Sequence, residues 1–358
     1  MAVLYINSKK EKAFLWDYLK GLKKELSISE CNEIKKLLTS DTNEYRYCYE
    51  NVFNEIIKEK ENRKSIFTMF DSDEVFLSDI MLEKTEAEYI FVGFPYDLGA
   101  SQYRGSKFGP SVLRYNSTSI LENETLRRKG ILVGDLGDLK GEVFKSNGKE
   151  FYYLINVIEY LLCSNKFPII LGGDHSISYA TLMGMCESIE EFGIIHLDAH
   201  QDYSGISRND WERDLNHANF LDFLVERKEI KSITQLGIRN NILSVSHAKI
   251  NSFSVEETIS NIDQIIDSLD KSIPYFITFD VDCLSTSIMQ STGTPLPGGF
   301  EFREISSVLI KIINNLKILG IDIVELNDNQ KLDAMTVNQL LILILLENKR
   351  YKNEHRIY

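Results

Sequence analysis

Three short strings in the middle of the chain hold six side chains of the kind that bind metals. His175 lies in Gly172-Gly173-Asp174-His175-Ser176. Asp198, His200 and Asp202 lie in Leu197-Asp198-Ala199-His200-Gln201-Asp202. Asp280 and Asp282 lie in Phe279-Asp280-Val281-Asp282. Each string follows an apolar run of strand character: Phe167 to Leu171, Gly193 to Leu197, and Tyr275 to Phe279. Side chains two apart on an extended segment share a face, so Asp198, His200 and Asp202 start on one side of one strand end. The same holds for Asp280 and Asp282. Parallel strands of an open sheet gather their carboxyl ends where ligands bind. Four carboxylates crowded there repel one another unless cations neutralise them. The pattern predicts a site for two divalent metals.

Each string also has a plainer reading. Asp-x-Asp at a strand end commonly forms a turn or helix cap, and Gly-Gly-Asp-His can be a strand-to-helix turn capped by Asp174. Asp-x-His-x-Asp is more specific, because an imidazole flanked on its own face by two carboxylates is rare in a buried strand. Four of the six histidines, His175, His196, His200 and His217, fall between positions 175 and 217. His196 has the parity of the ligands but sits one step inside its strand, which reads as a packed, hydrogen-bonded residue. No cysteine belongs to the constellation, and carboxylates with some imidazole suit manganese or a similar ion. Structural zinc prefers four thiolate or imidazole ligands. Two ions sharing carboxylates lower the pKa of a bridging water, so the residues by themselves indicate metal-assisted hydrolysis.

These strings resemble those of the ureohydrolases, the family of arginase and agmatinase. Phe94-Pro95-Tyr96-Asp97-Leu98-Gly99, with Gly105, Phe108-Gly109-Pro110 and Arg114, is similar to the family's amino-terminal segment. Asp135-Leu136-Gly137-Asp138 resembles its second-strand motif, and Thr292-Gly293-Thr294-Pro295 through Gly298-Gly299-Phe300 its loop after the second aspartate pair. Asp322-Ile323-Val324-Glu325-Leu326-Asn327 resembles its last strand, and the likeness runs in family order from about residue 88 to about residue 350. The resemblance implies an arginase-like three-layer αβα fold with a mainly parallel central sheet. It implies two manganese ions per subunit, one held by His175, Asp198, Asp202 and Asp280, the other by Asp198, His200, Asp280 and Asp282. A hydroxide between them would attack a guanidinium carbon, giving urea and an amine. His217, in Asn216-His217-Ala218-Asn219, matches the family's proton-shuttle histidine, and Glu325 the carboxylate that pairs with the guanidinium. With Asp202 these are the expected catalytic residues. The plainer alternatives are a loop histidine without duties and a solvated glutamate.

The chain departs from the free-arginine pattern in two places. In arginases, the loop before the shuttle histidine carries an asparagine and small hydroxyl residues that hold the α-carboxylate. Here residues 203–216 are longer, charged and include Trp211, and the second place after Asp202 is Ser204. The family's Gly-Leu-Arg-Asp-x-Asp strand end, whose last aspartate engages the α-amine, becomes Gly237-Ile238-Arg239-Asn240-Asn241-Ile242. Burying an ammonium without its carboxylate is costly. The expected substrate is arginine or an arginine derivative, including peptidyl arginine. Agmatine, a guanidino acid or formimidoylglutamate are the alternatives. Outside the family, a single-metal deacetylase of the same broad fold would not need His175, Asp202 and Asp282. A metal-binding scaffold without turnover would not need Glu325 and His217.

The elements that must position these residues follow from the apolar pattern. From residue 88 onward strand-like runs at Tyr89–Phe94, Ile131–Val133, Phe167–Leu171, Gly193–Leu197, Ile233–Gly237, Tyr275–Phe279 and Ile318–Val324 alternate with helical stretches. The helices are expected near 152–164, 177–188, 262–270, 302–316 and 335–350, an alternation that indicates a parallel sheet covered on both faces. Residues 1–87 differ. Leu15, Leu19, Leu22 and Leu26 fall at helical spacing, Ser27-x-x-Glu30 reads as a capping box, and Val52, Phe53, Ile56 and Ile57 give a third amphipathic pattern. They are expected to form a helical N-terminal extension to a metallohydrolase domain at 88–358, serving packing, oligomer contact or the docking of a peptide substrate. A homo-oligomer, trimer or hexamer, is implied by the resemblance.

Composition sets the remaining bounds. With 358 residues, 43% of them hydrophobic, the chain is long enough for one large α/β domain plus an appendage. A net charge of −13 without any basic stripe argues against a nucleic-acid groove. The five cysteines are scattered and never in Cys-x-x-Cys, which fits a reduced cytoplasmic interior. The start lacks the apolar region of a signal peptide, and the longest apolar stretch, Leu340 to Leu346, is far short of the roughly 20 residues that span a bilayer.

Overall fold

The computed structural model describes residues 70–71, 87–116, 126, 128–139, 149–208, 210–239, 245–327 and 331–355. The helices expected within residues 1–87 therefore lie outside the described residues. Among the described residues the frame is one sheet of nine strands. In chain order they are β1 (Phe70–Asp71), β2 (Tyr89–Phe94), β3 (Val133–Leu139), β4 (Phe167–Gly172) and β5 (Phe192–Leu197), then β6 (Ile230–Leu236), β7 (Ile250–Phe253), β8 (Tyr275–Asp280) and β9 (Ile318–Val324). Their spatial order is β1-β3-β2-β4-β9-β8-β5-β6-β7. Every neighbouring pair runs parallel except β1, which pairs antiparallel with the end of β3.

The central strands β2, β4, β5 and β8 are buried at every position. They read as unbroken apolar runs because both faces are covered. Alternate side chains feed two separate cores. Ile169, Leu171, Tyr275, Ile277 and Phe279 pack on one face against α5 (Val255–Asp267), α6 (Phe302–Asn315) and α7 (Lys331–His355). Ile170, Ile194, Phe276 and Val324 pack on the other against α2 (Lys149–Cys163) and α3 (Ile177–Ser188). Two shorter helices are α1 (Gly109–Tyr115) and α4 (Trp211–Asp214).

Several boundaries differ from the expected ones, each for a physical reason. Strand β3 is longer than Ile131–Val133 because Asp135 and Asp138, which look like loop residues, are buried against Arg114. The guanidinium Nε and Nη2 donate to Asp135 at 2.9 Å each, and Nη1 donates to Asp138. Helix α5 starts at Val255, seven positions before the expected 262, because Ser254 closes a capping box with Glu257. Strand β7, at the sheet edge, has two exposed residues between two half-buried ones and carries too short a pattern to be read.

Candidate metal centre

The sheet order makes the site. Strands β4, β9, β8 and β5 are consecutive neighbours, so the segments following them emerge side by side: His175, Glu325, Asp280 with Asp282, and Asp198 with His200 and Asp202. The His175 Nδ1 atom lies 3.0 Å from Asp198 Oδ2, 3.0 Å from Asp202 Oδ2 and 3.2 Å from Asp280 Oδ2. His200 Nδ1 lies 3.0 Å from Asp282 Oδ2 and 3.5 Å from the other Asp198 oxygen, Oδ1. Thus all six expected ligand residues converge, in two groups that share Asp198. Local bonds fix their directions: the amides of His200, Ala199 and Asp282 donate to Asp198, Asp282 and Asp280 at 2.6, 3.0 and 2.8 Å. Asp202 and Glu325 take left-handed backbone conformations, φ 46° and 66°. Such conformations cost on the order of 1–3 kcal/mol each and are held only where surroundings over-determine them.

The electrostatics test whether cations fit. His175 Nδ1 is buried and finds no hydrogen bond of full geometry, although three carboxylate oxygens surround it. Burial opposes a charged imidazole, yet Asp198, Asp202 and Asp280 outweigh it and raise the His175 pKa well above its ordinary value. His200 behaves alike: burial works against it, while Asp198 and Asp282 push it up to about 12. Asp280 is raised well above the usual carboxylate range by burial and by the charges of Asp282 and Asp198. Asp282 is raised too, by burial and Asp198, while Asp198 is drawn well below the range, against burial, by His196, His175 and His200. The cluster is rich in hard oxygen donors and short of positive charge. That donor set fits divalent ions.

Beside it stand His217 and Glu325, two of the three expected catalytic residues, the third being the ligand candidate Asp202. His217 Nδ1–H donates to Glu325 Oε1 at 3.1 Å, and the same oxygen accepts the His175 amide at 2.9 Å. On its far side His217 Nε2 meets the Ser101 hydroxyl at 2.7 Å and accepts the Ser101 amide at 3.2 Å. Burial works against the charged form of His217, and Glu325 raises its pKa above the ordinary value. Asp174, read above as a turn cap, does accept the Ser176 amide and hydroxyl, and it also holds the Gly99 amide at 2.7 Å. Cys283 is a buried thiol pushed well up by burial and the neighbouring aspartates.

Beneath the ligands runs a second polar layer. Gln235, His196, Thr278 and Asp322 are successive register partners across β6, β5, β8 and β9, and all four are fully buried. His196 is held between Gln235 Nε2, 2.9 Å from its Nδ1, and Asp198 Oδ2, 2.8 Å from its Nε2. Thr278 Oγ1 lies 2.9 Å from His175 Nε2. Ser101, Thr278, Gln235 and Asp322 were not expected at the site. A polar residue inside an apolar strand run is the only signal the last three offer.

The loop before His217 is organised by Asp222. Its carboxylate accepts the amides of Ser204 and Gly205 at 2.8 and 3.2 Å, the Ser204 hydroxyl, and Arg208 Nε at 3.1 Å. Trp211 packs among Phe151, Tyr152 and Tyr179 with ring centroids 5.6, 5.3 and 5.0 Å away. Arg239 is spent on backbone carbonyls, donating to Asp282 at 2.7 Å and Cys283 at 3.1 Å.

The sequence pattern of the Arginase family matches residues 87–345. The chain belongs to the arginase family. An agmatinase of Sodalis glossinidius is 30% identical over 282 residues, 73% of this chain and 87% of that protein. An agmatinase of Neisseria meningitidis serogroup A is 30% identical, covering 69% of this chain and 81% of its own. Among solved structures, the agmatine ureohydrolase of Thermoplasma volcanium superposes with a TM-score of 0.64 at 24% identity, over 83% of this chain and 99% of that one. Proclavaminate amidino hydrolase from Streptomyces clavuligerus gives 0.64 at 24%, over 74% and 92%. These likenesses give the arginase-like α/β fold. The arginase-family protein is a hydrolase of linear amidine C–N bonds, in a family of binuclear metal enzymes. Among the described residues no helix is long and apolar enough to cross a membrane.

Proposed function

We propose that this protein is a dimanganese ureohydrolase that releases urea from a guanidino compound lacking a free amino-acid head, agmatine being the model substrate. His175, Asp198, Asp202 and Asp280 hold one ion; Asp198, His200, Asp280 and Asp282 hold the other. The pair of ions, when bound, supplies a water acidic enough to act near neutrality. Glu325 faces the guanidinium with its second oxygen, its first being held by His217 and the His175 amide. Its contact with His217 sets that imidazole beside the departing nitrogen, to hand over a proton.

The observation that carries the substrate class is Asp222. The Ser204 and Gly205 amides and the Ser204 hydroxyl, the donors where an arginase loop would take an α-carboxylate, are all turned onto this buried anion. A second carboxylate there would meet repulsion rather than free donors. The agmatinase relatives point the same way. The scattered cysteines, never in Cys-x-x-Cys, support a cytoplasmic enzyme. A homo-oligomer, and an N-terminal extension over 1–87 whose Phe70–Asp71 pair with β3 in the core sheet, complete the proposal. Urea release by manganese-loaded protein from agmatine, arginine, guanidinobutyrate, formiminoglutamate and arginine-containing peptides tests it. Agmatine or another head-free guanidine is expected to give the highest kcat/KM. Preference for free arginine would sink the substrate assignment, and formamide in place of urea would move the enzyme to the formimino branch.

A further inference from the structure

Asp322 is a carboxylate in the middle of a central strand, and no group meets either of its oxygens with full hydrogen-bond geometry. Burying such a group is costly, and it does nothing for the sheet that an isoleucine would not do better. The polar groups that face it are the hydroxyls of Thr278 and Ser178 and the Phe279 amide. Thr278 is its register partner on β8 and stands two residues before Asp280 on the same face. Asp322 is therefore one hydroxyl away from His175.

The direction of the hydrogen bonds gives this position a meaning. His175 Nδ1 is aimed at oxygens of Asp198, Asp202 and Asp280, so it binds a cation there only as a bare lone pair. The ring proton must then sit on Nε2 and be donated to Thr278 Oγ1, 2.9 Å away. Having accepted, the threonine hydroxyl must send its own proton onward. Ser178 Oγ lies 3.2 Å from it, and Asp322 lies beside both. Thr278 donates to Ser178, whose own hydroxyl proton is left to face Asp322, and a carboxylate is the end of such a chain because it accepts and need return nothing. We propose that Asp322, acting through Thr278 and Ser178, is the positioning residue that locks His175 in the Nε2–H tautomer and aims Nδ1 at the ion it shares with Asp198, Asp202 and Asp280. The proposal rests on the two-metal reading above. Outer partners of this kind fix the orientation of a metal-binding imidazole and tune its affinity. His200 contacts none of the three, so the effect belongs to one ion of the pair.

The test is manganese stoichiometry, affinity and electron paramagnetic resonance on the full-length protein. Wild type is expected to bind two ions per chain and give an exchange-coupled spectrum. Asp322→Asn and Thr278→Val should bind the ion beside His175 roughly tenfold to a hundredfold more weakly. At manganese levels that saturate wild type they retain one ion and show the spectrum of isolated manganese. Thr278→Ser, which restores the hydroxyl, should recover both ions. Metal-free melting temperatures of Thr278→Val and Thr278→Ser should agree, which a merely structural role would not require. If Asp322→Asn does not fold, the threonine pair reads the same relay. Two ions of wild-type affinity in Thr278→Val, or in a folded Asp322→Asn, overturn the proposal alone. Fewer than two ions in wild type overturn the two-metal reading and this proposal together.

Discussion

At the residue scale, the site is a division of labour among groups whose surroundings pull them apart. Glu325 sits under His217 and over the His175 amide, so its first oxygen is already engaged. A Cβ placed on nearby Gly293 would lie 3.4 Å from its second oxygen, an ordinary contact, but only 2.9 Å from the Tyr103 carbonyl oxygen, which explains a glycine there. Glu325→Gln should therefore leave both ions bound yet lower kcat/KM on a guanidinium substrate by about a hundredfold or more, since one amide nitrogen would face donors. Unchanged kcat/KM with full metal content would remove the pairing role. The ligand assignment has its own check. His200→Ala should lose bound manganese along with activity, because Asp198 and Asp282 would keep their mutual repulsion and lose their shared imidazole. Elemental analysis that finds wild-type metal in that variant refutes the assignment.

At the scale of elements, strand ends and tight turns decide where those groups point. A methyl on Gly173 would land 1.6 Å from the Tyr96 carbonyl oxygen, a position that also accepts the Asp174 amide at 2.8 Å. Gly173→Ala is expected to shift the turn that carries His175, with loss of soluble protein or of metal, and a folded variant with wild-type manganese content would contradict this. Helix α5 offers a milder case, away from the centre. Ser254→Ala removes one half of the Ser254–Glu257 capping box and should cost about 1 kcal/mol in denaturant unfolding without touching metal binding. These elements also mark what could be read from the chain alone. The strings at 175, 198–202 and 280–282 were legible because parity and an apolar lead-in are local properties. The layer below them was not. Thr278 meets Asp322 only through the pairing of β8 with β9, and Ser101 meets His217 across 116 positions. Register between strands distant in sequence is invisible until the sheet is assembled. The apolar pattern missed most of strand β3 for a related reason, its aspartates being neutralised by Arg114 from a helix more than twenty positions away. Only the family resemblance of residues 135–138 marked it as strand.

At the scale of the whole molecule, the last helix closes back on the first strand of the core. Tyr89 donates to Asn348 at 2.9 Å, and Lys352 lies 5.2 Å over the Tyr89 ring and 5.5 Å over Phe167. Glu88, just ahead of β2, takes Lys349 at 2.8 Å and Lys352 at 2.6 Å. These contacts join segments some 260 positions apart, so they form only when the sheet and α7 are both in place. Burial would raise the Glu88 carboxyl, but the two lysines win and hold it below its ordinary 4.5. A carboxylate depressed by folding adds stability that is complete above the unfolded value and is lost as pH falls through the folded one. Glu88→Gln removes the charge at every pH. Unfolding midpoints of wild type and variant should therefore differ at about pH 7 and converge as pH falls through the lowered folded value, where the wild-type carboxylate becomes protonated. The gap is modest because the group is half exposed and solvent screens it. It should also shrink in molar salt, since the ion pairs reach the surface. A gap that stayed constant from neutral to acid pH would mean that Glu88 contributes packing rather than charge, and that α7 is held to the sheet by Tyr89, Asn348 and the apolar face alone.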